Sequence, residues 1–166
     1  MKKLFLIGGT MGIGKTTVGQ LLKRKLSNAV FLDGDWCWDA DPFHVNEETK
    51  KMVQDNIYYM LNNFIHCSAY ENVIFCWVMH EQKIIDDLLA NIDAADCEVI
   101  VVSLICTPEA LRKRINIDIE IGIRSQDVLE RSIKRIPLYK ELKTTKIDVS
   151  TKTPEEVANI ISTLYN

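Results

Sequence analysis

Gly9-Thr10-Met11-Gly12-Ile13-Gly14-Lys15-Thr16 fits the pattern G-x-x-x-x-G-K-[ST] at every specified position. Its surroundings fit too. The apolar run Leu4-Phe5-Leu6-Ile7 precedes it, as a buried strand should, and a helix-compatible stretch over residues 16–26 follows. Glycines let the backbone curl so that successive N–H groups point at a β-phosphate, with the positive end of the helix behind them. The expected nucleotide contacts are Gly9, Gly12, Ile13, Gly14, Lys15, Thr16 and Thr17. Lys15 should reach the β- and γ-phosphates, and the Thr16 hydroxyl should ligate Mg²⁺, so ATP and Mg²⁺ are the expected cofactors.

Beyond the loop, short apolar runs alternate with helix-like stretches. Strands are predicted at 3–7, 29–32, 73–78, 98–105 and 146–149. Their unbroken character, as in Val99-Ile100-Val101-Val102, is what a strand covered on both faces requires. Helices are predicted at 16–26, 47–66, 82–91, 108–117, 126–142 and 154–164. Two starts are marked chemically, Thr107-Pro108-Glu109 and Thr153-Pro154-Glu155-Glu156, each with a Thr cap, a Pro in the first turn and acid behind it. This alternation predicts a three-layer α/β fold with a parallel sheet, in one domain spanning residues 1–166.

Composition sets the class. The 166 residues are 47% hydrophobic and 26% charged, with net charge −3, which describes an ordinary globular chain without a basic face for nucleic acid. Five scattered cysteines, with no CxxC pair or zinc spacing, read as reduced thiols of a cytoplasmic protein. No segment approaches the roughly 20 apolar residues of a membrane span.

Ligands in such sheets bind beyond the carboxyl ends of the strands. The second strand is followed by Asp33-Gly34-Asp35-Trp36-Cys37-Trp38. Asp33 is the expected metal residue, acting through water, and Asp35 the expected base that takes a proton from an acceptor hydroxyl. Five of the six arginines fall between 112 and 135, where planar forks suited to phosphate oxygens would gather. The isoleucine alternation between Arg114 and Arg124 is expected to form a lid, at about 115–125, that excludes water.

These residues resemble the small-molecule and nucleoside-monophosphate kinase branch of the P-loop fold, nearest to shikimate kinase. The likeness rests on the phosphate loop, the Asp33-x-Asp35 pair, the lid arginines, Lys134-Arg135-Ile136-Pro137-Leu138-Tyr139, Lys146-Ile147-Asp148-Val149 and Thr153-Pro154-Glu155-Glu156-Val157. It implies a five-stranded parallel sheet in order 2-3-1-4-5. It also implies Arg114 against adenine, Arg124 on the phosphates, Arg135 at the acceptor and the turn from Asp148 to Pro154 beside the base. The Asp33-Gly34-Asp35 spelling is similar to that of gluconate kinases, adenylylsulfate kinases and antibiotic phosphotransferases.

The departures point away from shikimate. Where shikimate kinase has a run of glycines after its third strand, this chain reads Phe75-Cys76-Trp77-Val78-Met79-His80, and residues 42–70 contain no arginine. Aromatic residues are expected to line the acceptor side instead, on helices at about 36–70: Trp36, Trp38, Phe43, Tyr58, Tyr59 and Trp77, with His44 and His80 nearby. The expected activity is transfer of the γ-phosphoryl group to a hydroxyl of a small molecule, with Lys15, Asp35 and Arg124 as catalytic residues. Trp36, Trp77, His80 and Arg135 join Asp35 as acceptor contacts. A nucleoside or nucleotide kinase is one rival reading, and a nucleotide-dependent ATPase or switch is another.

Overall fold

The computed structural model describes residues 1–164. Five parallel strands form one sheet in the order β2-β3-β1-β4-β5, the arrangement the resemblance implies. The strands are β1 (Lys2–Gly8), β2 (Ala29–Asp33), β3 (Asn72–Trp77), β4 (Cys97–Ile105) and β5 (Thr145–Asp148). The helices are α1 (Lys15–Lys25), α2 (Glu47–His66), α3 (Gln82–Ala90), α4 (Pro108–Glu120), α5 (Gln126–Lys140) and α6 (Pro154–Thr163), and a short 3₁₀ turn covers Gly34–Cys37.

Alternation of side chains along each strand builds two cores. Phe5 and Ile7 of β1 pack with Val18 and Leu22 of α1 and Val157 and Ile161 of α6. Leu4 and Leu6 face the other way, onto Val53, Ile57 and Leu61 of α2 and Ile85 and Leu88 of α3. Each such side chain removed from water contributes about 1.5–3 kcal/mol, which is why the continuous apolar strands select a covered sheet. Helix α5 reaches both cores, with Ile136 in the first and Tyr139 in the second.

Local chemistry fixes the helix starts. The Thr153 hydroxyl accepts the Glu156 N–H at 3.2 Å while the Glu156 carboxylate accepts the Thr153 N–H at 2.7 Å, and the Thr107 hydroxyl accepts the Ala110 N–H at 3.2 Å. Caps of this kind contribute about 1 kcal/mol each. Helix α4 runs three residues past its expected end at 117, because the Ile117 carbonyl still accepts the N–H of Ile121. The segment expected as a lid is thus the last turns of α4 plus a tight turn leading to Ser125, the cap residue of α5. Among the described residues no helix is long and apolar enough to cross a membrane.

Candidate active site

The strand order places the carboxyl ends of β1, β2 and β3 side by side, and the chemistry-bearing residues follow them. In the loop after β1, Gly12 and Gly14 have φ of 78° and 104°, a region that side chains rarely adopt. A Cβ at Gly12 would also come within 2.6 Å of the Ile115 side chain, so α4 packs directly on the loop. Gly14 is the cap residue of α1, so the loop's N–H groups sit at that helix's amino end. Thr10 is fully buried, and its hydroxyl donates to the Ser132 carbonyl of α5 at 2.8 Å. Lys15 folds back over the loop, Nζ donating to the Thr10 carbonyl at 3.0 Å. Burial pulls the Lys15 ammonium below its ordinary range, while Cys76, Asp35 and Asp33 oppose the shift.

Asp33, 5% exposed, ends β2 and joins the two parts of the site. One carboxylate oxygen accepts the Thr16 hydroxyl at 2.6 Å and the other accepts the Asp35 N–H at 3.0 Å. The second bond starts the 3₁₀ turn and so sets where Asp35 stands. Cys76 lies beside Asp33 in the sheet register, and burial, with the Asp33 charge, pushes its thiol up. Asp35 stands at the open lip of the cleft. Crowding by surrounding protein and the neighbouring Asp33 raise its carboxyl above the ordinary carboxylate range, against the pull of Lys15, the Trp77 indole N–H and Arg124.

From the opposite side come the arginines. Arg114 donates to the Ile13 carbonyl at 3.1 Å and the Val149 carbonyl at 2.5 Å, tying the loop to the β5–α6 turn. Arg124 binds Asp118 through Nε at 2.8 Å. The resulting cleft of about 380 Å³ is lined by Gly12, Gly14, Lys15, Thr16, Thr17, Asp33, Asp35, Arg114, Asp118 and Arg124, with Met11 and Ile117. A slot of about 130 Å³ continues from it between Ile13, Val18, Arg114, Val149, Lys152 and Pro154. Flat apolar walls with a guanidinium beside them suit a planar base. The donor set also suits a phosphate-bound Mg²⁺: Thr16 and Asp33 meet at the end of the loop, and Mg²⁺ takes one or two protein oxygens and completes its shell from phosphate and water.

The aromatic residues do not gather as expected. Trp36 is 57% exposed and turns its ring edge-on to Phe31, 5.4 Å away, on the α1 side of the sheet. The 3₁₀ turn is the cause: successive side chains there point a third of a circle apart, so Asp35 and Trp36 cannot share a direction. Trp38 stacks on Phe43 at 4.1 Å, and Tyr59 is exposed. Tyr58 and Trp77 border a small hollow between α2, α3 and β3. Trp77 also packs beside Gly34, next to Asp35 at the edge of the cleft. His80 and Arg135 are neighbours beyond it. Burial and the Arg135 charge push the His80 imidazole down, and its buried Nδ1 has no hydrogen-bond partner among the described residues. Gly9 packs against Ile13 and Leu104, and a wider groove of about 790 Å³ opens at the amino ends of the strands, among Lys2, Lys3, Lys25 and Glu71, far from the loop.

Two residues escaped the sequence reading. Asp118 offers a signal only in hindsight, an acid interrupting the isoleucines six residues before Arg124. Cys76 needed the strand register that sets it beside Asp33.

A phosphate loop after β1, an Asp at the end of β2, one strand removed, and the order 2-3-1-4-5 define the P-loop fold as kinases use it. Residues 6–130 match the family described as AAA domain, and the chain belongs to that family. Among solved structures, a gluconokinase from Sinorhizobium meliloti 1021 is 15% identical, with TM-score 0.71 over 96% of this chain and 89% of that one. The tunicamycin resistance protein of Deinococcus radiodurans is 16% identical, with TM-score 0.70 over 99% and 95%. Shikimate kinase from Acinetobacter baumannii in complex with shikimate is 21% identical, with TM-score 0.64 over 99% and 92%. These likenesses establish a shared fold. No protein with a curated description matches the sequence.

Proposed function

We propose that the protein is an ATP- and Mg²⁺-dependent phosphotransferase that moves the γ-phosphoryl group to a hydroxyl of a small molecule other than shikimate. The observation that carries this is the hydrogen-bonded run Thr16–Asp33–Asp35, set opposite Lys15 and Arg124 in one cleft. Asp35 takes the proton of the acceptor hydroxyl as its oxygen forms the new bond to phosphorus and the bond to the β-phosphate oxygen breaks. Lys15 leaves the Thr10 carbonyl for the phosphates and, with Arg124, stabilises charge on the moving group. Thr16 and Asp33 would hold Mg²⁺, which would supply positive charge to the phosphates during transfer. Arg114 and Pro154 flank the base. Residues 115–125 close over the nucleotide, and Trp77, His80 and Arg135 face the acceptor. Trp36 is left out of that set because of where its ring lies.

All five cysteines are free thiols, which supports a cytoplasmic setting. A coupled ADP-release assay with Mg-ATP against sugars, polyols, hydroxy acids, nucleosides and aminoglycosides tests the reading. An acceptor that raises ADP release well above background, and fails to do so with Asp35→Ala, is the expected outcome. A flat response across the panel despite tight ATP binding would favour a nucleotide switch.

A further inference from the structure

Where α4 ends, one residue gathers three bonds. The Asp118 carbonyl accepts the N–H groups of Ile123 at 2.8 Å and Arg124 at 3.3 Å, which turns the chain back toward the cleft. Its carboxylate accepts Nε–H of Arg124 at 2.8 Å, with the two side chains 29% and 31% exposed. Both residues line the cleft that holds Lys15, Thr16 and Asp35. A guanidinium bound through Nε keeps its Nη1 and Nη2 donors for another partner, and among the described residues no hydrogen bond occupies them. The Arg124 charge is also felt at Lys15 and at Asp35.

We infer that Asp118 is a positioning residue: it grips Arg124 by Nε and aims the two Nη groups at the transferred phosphoryl group before nucleotide arrives. The inference rests on the phosphotransfer reading above. An arginine on a turn would otherwise lose rotamer freedom at the moment of reaction, and a carboxylate that holds it beforehand removes that cost from the barrier. Asp118 acts here through Arg124. The opposite role, in which Asp118 keeps Arg124 away from the phosphates, predicts effects of the opposite sign.

The test compares wild type, Asp118→Ala, Asp118→Asn, Arg124→Ala and the double variant Asp118→Ala/Arg124→Ala, using whichever panel acceptor gives turnover. Asp118→Ala is expected to lower kcat by roughly tenfold or more. Asp118→Asn, which still offers Nε an oxygen, recovers most of that loss. In the Arg124→Ala background the Asp118 substitution has no further effect, because its action passes through that side chain. Unchanged or raised kcat in Asp118→Ala overturns the inference. So does an equal loss with and without Arg124, which would make Asp118 a residue of the turn's folding alone.

Calorimetric binding of a non-hydrolysable ATP analogue with Mg²⁺ separates the two readings. If wild type binds the analogue but transfers phosphate to nothing, the phosphotransfer reading falls by itself. Coupling between positions 118 and 124 in analogue affinity still supports the grip, and additive effects overturn it.

Discussion

Around the phosphate loop, polar groups are already held: Thr10 on Ser132, Lys15 on Thr10, Thr16 on Asp33, Asp33 on Asp35 and Arg114 on two carbonyls. The segment 38–60, by contrast, presents Tyr59, 71% exposed, and a Trp38–Phe43 pair stacked on itself. One side is set before any ligand binds, and the other is left open. Phosphate is the same for every kinase of this fold, so its cradle can be rigid, whereas an acceptor is particular and its recognition rests on side chains that vary.

The largest expected effects break the rigid side. Lys15→Ala and Asp35→Ala should each cut turnover by two orders of magnitude or more, about 3 kcal/mol of barrier, read in steady-state kinetics. Retention of full rate by Asp35→Ala would remove it as the base.

Next in size is the joint between the two sides. A Cβ at Gly34 would lie 2.6 Å from the Trp77 ring. Gly34→Ala should therefore displace the Trp77 indole, costing about 1–3 kcal/mol in thermal denaturation and shifting tryptophan fluorescence. An unaltered spectrum would show that the ring does not pack there.

A pH prediction sharpens the same boundary. Because the Asp35 carboxyl is raised in the folded protein, a base at this position makes kcat/KM fall on the acid side at a pH above the ordinary Asp value of 3.8. The folded state binds the extra proton, so this group's contribution to stability falls as pH rises from 3.8 through the raised value. Asp35→Asn, free of that penalty, should match or exceed wild type in Tm at neutral pH while losing activity. A lower Tm would mean that its ion partners outweigh its desolvation.

The smallest effect belongs to the open side. Tyr59→Ser should change stability by no more than about 0.5 kcal/mol in urea denaturation, since the side chain is largely solvated. A large loss would mean that this arm is packed more tightly than its exposure indicates.

The fold was legible because its signals are local: apolar runs, a glycine pattern and Thr-Pro-Glu starts each report on a few neighbouring residues. The grouping of Lys15, Thr16, Asp33 and Asp35 followed from the rule that places ligands beyond strand ends. The direction of Trp36 was not legible, because Asp-Gly-Asp-Trp does not announce the 3₁₀ turn that sets Asp35 and Trp36 apart. The acceptor aromatics dispersed for a related reason, since whether a ring packs on Phe31, on Phe43 or over Gly34 depends on contacts between distant segments. Asp118 was hidden because a carboxylate among isoleucines has no partner until the turn brings Arg124 back.

The most direct measurement follows the phosphoryl group itself. With γ-labelled Mg-ATP, wild-type protein and pooled hydroxyl acceptors, the account predicts label in an organic phosphate ester, and loss of that product with Asp35→Ala. Label found only in inorganic phosphate, at the same rate with or without acceptors, would contradict it.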